Sequence, residues 1–205
     1  MPKLFMVLLG CTPAGRNIEQ HDVFFGIGET IHQLIPDINV FWPGANKLHM
    51  DGWREITKVD GHKVEIVSKD ETVPASSLRL FFLNLGGYKE NEFEEFHYKI
   101  VLAATDKAEA INRAKQTAFF RHTGFPGAAA HIDNKYGVDV DDLYEIADIL
   151  SPQVKQKYNI VITSVNGDSI QDDKIQLGYF KLSEFENRRP GAVNFSSSSL
   201  NPPGQ

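Results

Sequence analysis

An apolar run ending in glycine occurs twice in this chain, as LFMVLLG at residues 4–10 and as LFFLNLGG at residues 80–87. This repetition constrains the possible folds more than any single motif does. A Glu-x-His triplet follows each run, Glu19-Gln20-His21 and Glu95-Phe96-His97, and both runs and triplets are offset by 76 positions. A later pair, His49-Met50-Asp51 and His131-Ile132-Asp133, is offset by 82. The second copy thus carries about six extra residues between its triplets, an insertion of the kind that repeat units place in loops. The expected fold class is α+β: two duplicated ββαβ(β) units with mostly antiparallel or mixed sheets, one main helix each, related by a pseudo-twofold. The boundaries read as a first unit at 1–68, a linker at 69–78, a second unit at 79–165, a C-terminal hairpin extension at 166–195 and a disordered tail at 196–205.

The elements follow from local pattern. Residues 4–9 are a continuous apolar run, too short for a helix, and read as a strand buried on both faces and closed by Gly10. Residues 22–28 read as a second strand. Ile27, Ile31, Leu34 and Ile35 recur at helical spacing, with Pro36 expected to stop that helix. Asp60-Gly61 between alternating residues of 56–67 predicts a hairpin, because a primed turn needs positive φ at both central positions. In the second unit, 80–85 and 98–104 read as strands, with Gly86-Gly87 as punctuation. Asp106 with Glu109 reads as a capping box. Ala108, Ile111, Ala114 or Lys115, and Ala118 form the expected buried stripe of the helix that follows, with Glu109 and Arg113 paired on its outer face. Residues 138–149 mix strand and helix signals, while 158–163 and 175–182 alternate as strands.

The segments LFMVLLGCTPAGRNIEQHDVFFGIG, FWPG, WREI and VDG, then NLGGY, FEEFHYKIVLA and KYGVDVDDLYEI, resemble the bacterial family catalogued as domain of unknown function 1543. The resemblance extends over roughly residues 3–165 and implies one or two copies of the unit per protein. It brings no activity, cofactor or site residue.

Charge and cysteine use narrow the function classes. A net charge of −6 disfavours nucleic-acid backbones and anionic membranes as partners, since both demand a dense cationic face. The single cysteine, Cys11, cannot form an internal disulfide and fits a reducing compartment, so a cytoplasmic location is expected. Leu8-Leu9-Gly10-Cys11 resembles a lipoprotein cleavage box, but the stretch before the cysteine is shorter than the ~15–30 residues of a signal peptide. The same run also recurs at 80–87, so a core strand is the expected reading.

Candidate chemistry rests on the repeated pairs. Residues two apart on a strand share a face, so Glu19 with His21, His49 with Asp51, and their counterparts Glu95, His97, His131 and Asp133 could each converge on a point. Imidazole with carboxylate serves general acid/base work and also makes a usual first shell for zinc. Zinc-motif spacings are absent, however, and repeated polar residues often only satisfy buried backbone. The catalytic candidates are therefore Glu19, His21, Glu95 and His97; no metal and no cofactor is expected, with His49, Asp51, His131 and Asp133 as the alternative metal set. Gly86 and Gly87 could bring backbone amides to a ligand, and Arg121 with His122 could bind an anion after the best helix. Cys11 could be a nucleophile, though burial is the expected fate of a lone small apolar residue. Asp139, Asp141 and Asp142 lack a calcium-loop pattern. The resulting expectation is a protein that binds a small molecule or another protein through its two units, as a possible homodimer. The alternative is an enzyme acting on a small polar substrate through the His, Glu and Asp pairs. The two separate on the histidine pairs: lining one cleft with strongly perturbed pKa values or a bound ion would favour the enzyme, and lying apart, each hydrogen-bonded to backbone, would count against it.

Overall fold

The computed structural model describes residues 1–45, 47–73, 75–117, 142–165 and 173–186, and the backbone alone of 131–132. Among them, every strand pairing is antiparallel. Strands β1 (Lys3–Cys11), β2 (Gln20–Gly28), β3 (His49–Ile56) and β11 (Gln176–Lys181) form one sheet in the order β11-β3-β1-β2. A second sheet joins β4 (Lys58–Val59), β5 (His62–Ser68) and β10 (Tyr158–Ser164) in the order β10-β5-β4. The third places β6 (Arg79–Tyr88) beside β7 (Glu95–Ala104) and against the short strands β8 (His131–Ile132) and β9 (Leu143–Glu145). The helices are short: α1 (Ile35–Phe41), α2 (Lys107–Ala114), α3 (Ile146–Ile149), α4 (Pro152–Lys157) and α5 (Leu182–Glu186). The fold is α+β with mostly antiparallel sheets. No described helix is long and apolar enough to cross a membrane.

The continuous apolar runs behave as double-faced strands. Leu4 packs into one core cluster, while Phe5, Val7 and Leu9 pack into another on the opposite face. Contrary to expectation, the glycines do not end these strands: Gly10 and Cys11 lie within β1, and Gly86 and Gly87 within β6. Pro36 is a second correction. It occupies the first turn of α1, after a 3-10 turn at Ile31–Leu34, and so starts a helix instead of stopping one. The physical reason is that an amide in the first turn has no helical partner, so its loss costs nothing there, and the fixed φ of proline suits the position.

The N-cap forms as expected, Asp106 accepting from the Glu109 amide at 2.9 Å, while Glu109 accepts in return from the amide of Thr105, one residue before the cap, at 2.7 Å. The buried stripe of α2 is Ala110 and Ala114, with Ile111 packed beside them, whereas Ala108 is exposed. Ala118 lies outside the described residues. Arg113 also departs from expectation, reaching Asp60 at 2.7 Å and the Ala103 carbonyl. A buried backbone acceptor and a carboxylate together outweigh an exposed i,i+4 pair worth ~0.2–0.5 kcal/mol.

Asp60 and Gly61 have φ of 53° and 76°, as a primed turn requires. The Asp60 carboxylate also accepts from the Ala103 amide at 2.8 Å, so the turn of the first hairpin is fastened to β7 and α2. Asp60→Asn keeps a residue that tolerates positive φ but removes the charge. We expect it to cost about 1–3 kcal/mol, measured by urea denaturation; a change below ~0.3 kcal/mol would show that this clasp contributes nothing.

The core is shared along the chain. One cluster unites Val23, Phe25, Ile27 and Val64 with Leu80, Phe82, Val101 and Ile162. The Phe25 and Phe82 rings lie 5.2 Å apart at 60°. The last strands return to the first part of the fold: β10 pairs with β5, and β11 extends the first sheet beside β3. Asp173, ahead of β11, accepts from the Thr57 amide at 2.8 Å. Residues 166–195 contribute, where described, one edge strand and α5. The tail at 196–205 lies outside the described residues.

Candidate functional site

Gly10 stands between two histidines. On β1 it pairs with His21 of β2 on one side and with His49 of β3 on the other. Residues directly opposite on neighbouring strands share a face, and two strand spacings put the outer pair about 10 Å apart at the backbone. Glycine leaves that gap unfilled, and the two imidazoles reach into it. Glu19 and Asp51 join from positions two removed along the chain. His21 Nε2 lies 3.1 Å from Asp51 Oδ2 and 3.7 Å from Glu19 Oε2, and His49 Nε2 lies 3.2 Å from Glu19 Oε1 and 3.3 Å from Asp51 Oδ1. A methyl group at position 10 would sit 2.6 Å from Asp51 Oδ2 and 2.7 Å from His49 Nε2.

Local structure aims these groups. Leu8 pairs with Gly52 and Leu9 with Met50, so Asp51 is the extra residue of a β-bulge, a device that redirects a side chain beside a site. His49 Nδ1 lies 2.8 Å from the Lys47 carbonyl. A carbonyl only accepts, so Nδ1 carries a proton, and Nε2 is the ring nitrogen that faces the carboxylates. His49 is 2% exposed, and its Nε2, like Asp51 Oδ2, is buried without a hydrogen-bond partner. Tyr179 of β11 covers the ring, 4.2 Å away at 32°. Sequence reasoning did not single out Tyr179; its only signal was an aromatic within the late alternating strand.

The second set of pairs follows the same register. Gly86 pairs with His97 on β7 and with His131 on β8. There Glu95 is engaged by the Tyr88 hydroxyl, which donates to it at 2.7 Å. Asp133, like Arg121, His122, Asp139 and Asp141, lies outside the described residues, as does the His131 side chain. Gly86 and Gly87 are committed to strand pairing inside β6. Trp53, before Arg54-Glu55-Ile56, and Tyr144, before Glu145-Ile146, are out of step: Val7 pairs with Trp53, whereas Leu83 pairs with Leu143 and Phe82 with Tyr144.

Both Glu-x-His triplets line one cleft of about 910 Å³. Its remaining wall is mixed: Asp22, Glu94, Asp142 and Lys99 supply charge, while Phe41, Phe82 and Tyr144 are among its apolar members. Asn84 holds Asp142 through its amide at 3.1 Å and its side chain at 3.3 Å. Burial pushes the Asp22 carboxyl up, aided by Asp142 and opposed by the Val23 amide at 2.7 Å and by Lys99. Burial pulls Lys99 down, against the pull of Asp22 and Asp142. Cys11 is fully buried, and burial together with the Glu19 charge pushes its thiol up, the opposite of an activated nucleophile.

Because the folded state holds the Asp22 proton more tightly, its stabilising contribution is fully present below the usual 3.8 and is lost as pH rises through the raised folded value. Asp22→Asn cannot ionise. Its urea midpoint relative to the native protein is expected to be higher at about pH 7 than at about pH 3.5; the reverse order would contradict partial desolvation as the cause of the raised carboxyl.

Among the described residues, no group of three or more His, Cys, Asp or Glu side chains is placed to hold a metal ion. The four groups around Gly10 form a ring of close N···O approaches. All four fall inside a segment with a known family model: residues 16–66 match Domain of Unknown Function (DUF1543). Over that segment the chain is similar to this family. The match runs from before β2 to within β5, narrower than the stretch of resemblance read by eye. Protein Il1583 from Idiomarina loihiensis, known from a crystal structure, is similar at a TM-score of 0.52 and 23% identity, over 89% of this chain and 98% of that one. At that identity the likeness speaks for the fold. No curated protein matches.

Proposed function

We propose that this protein binds a small molecule in the cleft between β2 and β7, and that the ligand carries a positive charge on a partly apolar body. The observation behind this reading is the meeting of Glu19-Gln20-His21 and Glu95-Phe96-His97 at one cleft. Five carboxylates, Glu19, Asp22, Glu94, Glu95 and Asp142, face it against Lys99 and two histidines. Such a wall attracts cations and repels anions, and the exposed rings of Phe41 and Tyr144 offer apolar and cation-π contact. We also read the chain as two related units. The reading is supported by the matching registers, with Leu4 opposite Ile27 and Leu80 opposite Ala103, and with Gly10 and Gly86 each flanked by two histidines.

The test uses phenethylamine, phenylethanol and phenylacetate, which share an apolar body and differ in charge. Amide resonances of β2 and β7 are expected to shift saturably with the amine only, and Glu95→Gln with Asp22→Asn to weaken binding about tenfold or more. Equal response to phenylacetate, or no saturable response to the amine, refutes the reading. A second reading, an enzyme acting on such a ligand, is favoured by His21, which lines the cleft and holds its Nε2 3.1 Å from the Asp51 carboxylate.

A further inference from the structure

A second cavity, of about 330 Å³, shares no lining residue with the cleft between β2 and β7. It is walled by the start of β6, by residues of α3 and α4, and by β10, the outer strand of its sheet. Its apolar side continues the main core: Leu80, Leu150 and Ile162 are buried members of that cluster, and Leu78, Tyr158 and Ile160 pack against it half-buried. Half-buried apolar side chains around a concavity leave area in water that an apolar ligand would cover, at ~25 cal/mol per Å².

The exposed side of the lining is cationic. Lys69, Arg79 and Lys155 stand there against one carboxylate, Glu145. On a chain of net charge −6 an average patch is acidic, so this local excess runs against the composition. Each cation is held by a contact that leaves donors over. Lys69 Nζ donates to Asn159 Oδ1 at 2.7 Å, and Lys155 Nζ to the Asp148 carbonyl at 3.1 Å. Both acceptors are neutral, and an ammonium has three donors, so two remain on each lysine. Arg79 spends its charge on Glu145 at 3.0 Å and also donates to the Thr105 carbonyl at 2.9 Å. Among the described residues neither lysine pairs with a carboxylate. Two uncompensated ammonium groups therefore sit beside an apolar wall, the complement of an anionic head on an apolar tail.

We infer that this cavity binds a small organic anion, its tail against Leu78, Tyr158 and Ile160 and its carboxylate or phosphate head at Lys69 and Lys155. Because the free charges are ammonium groups, which act as point charges without the planar fork of arginine, the head is recognised by its charge. The inference is independent of the cation-binding cleft, and the two sites report through different strands.

The full chain is titrated with hexanoate, hexyl phosphate, hexanol, hexylamine and acetate while its amide resonances are followed. Those of β10 and of residues 78–80 are expected to shift saturably with the two hexyl anions, the tighter of which identifies the head, while β2 and β7 stay unmoved. Acetate, lacking the tail, is expected to bind about tenfold more weakly than hexanoate or worse. Lys69→Gln with Lys155→Gln, both at exposed positions, should keep the unliganded spectrum and weaken the anions about tenfold or more. The same charge change made elsewhere, Lys107→Gln with Lys115→Gln, should leave the affinity unchanged. Equal response to hexanol or hexylamine, acetate as tight as hexanoate, equal weakening in both double variants or in neither, or no saturable shift in β10 overturns the assignment.

Discussion

Gly10→Ala is expected to destabilise the protein by about 1–3 kcal/mol, although alanine is usually preferred to glycine within a strand. The backbone does not oppose the change, since Gly10 is not among the positive-φ residues, and a smaller unfolded-state entropy would favour alanine by ~0.4–1 kcal/mol. Sterics decide the sign. The added methyl meets Asp51 Oδ2 at 2.6 Å and His49 Nε2 at 2.7 Å. Asp51 is partly exposed and can give way, but the His49 side chain is 3% exposed, pinned by the Lys47 carbonyl and covered by Tyr179. Overpacking of a rigid neighbour costs ~1–3 kcal/mol, which exceeds the entropic gain. A double-mutant cycle isolates the cause: in a His49→Ala background the penalty of Gly10→Ala should fall by more than half, because the ring it strikes is gone. A penalty that survives intact in that background would falsify the cradle.

Phe25→Ala is expected to cost about 3–5 kcal/mol, much of the ~5–15 kcal/mol available to a domain. Phe25 is 2% exposed and packs on Phe82 at 5.2 Å in the cluster that joins strands from both ends of the chain. The loss should therefore be global. Trp42 and Trp53, the two tryptophans, both belong to the first part of the fold, while far-UV circular dichroism reports all of it. Fluorescence and dichroism should give coincident urea transitions in the native protein and in Phe25→Ala, both shifted together. Separate transitions would mean that the two halves hold independent cores. Phe25→Leu, which keeps most of the volume, should cost about 1.5 kcal/mol or less.

The candidate site was half legible before any coordinates. Glu19 with His21 and His49 with Asp51 are visible as pairs because a strand repeats its face every two residues. That the two pairs meet was not visible: nothing in the spacing says that β1 lies between β2 and β3, which places His21 and His49 on either side of one glycine. Gly10 read as punctuation because glycine after an apolar run usually ends a strand; here it continues the strand and leaves a hole. Pro36 is ambiguous for a related reason, since proline marks a helix boundary without saying which end. Arg113 was assigned to a local partner because sequence shows only neighbours along a helix, and the distant Asp60 won.

The sequence by itself determined the strand-rich α+β class, the double-faced strands, the Asp60-Gly61 turn, the N-cap at Asp106 and the two sets of pairs. Each is fixed by interactions among residues close along the chain: alternation, positive φ, a cap reaching three residues. The tertiary structure decided the rest: the order of strands, the return of β10 and β11 to the first part of the fold, the common cleft and the four-membered ring around Gly10. Those depend on which apolar faces bury each other, a choice made by the summed area and fit of the whole core, which no single segment encodes.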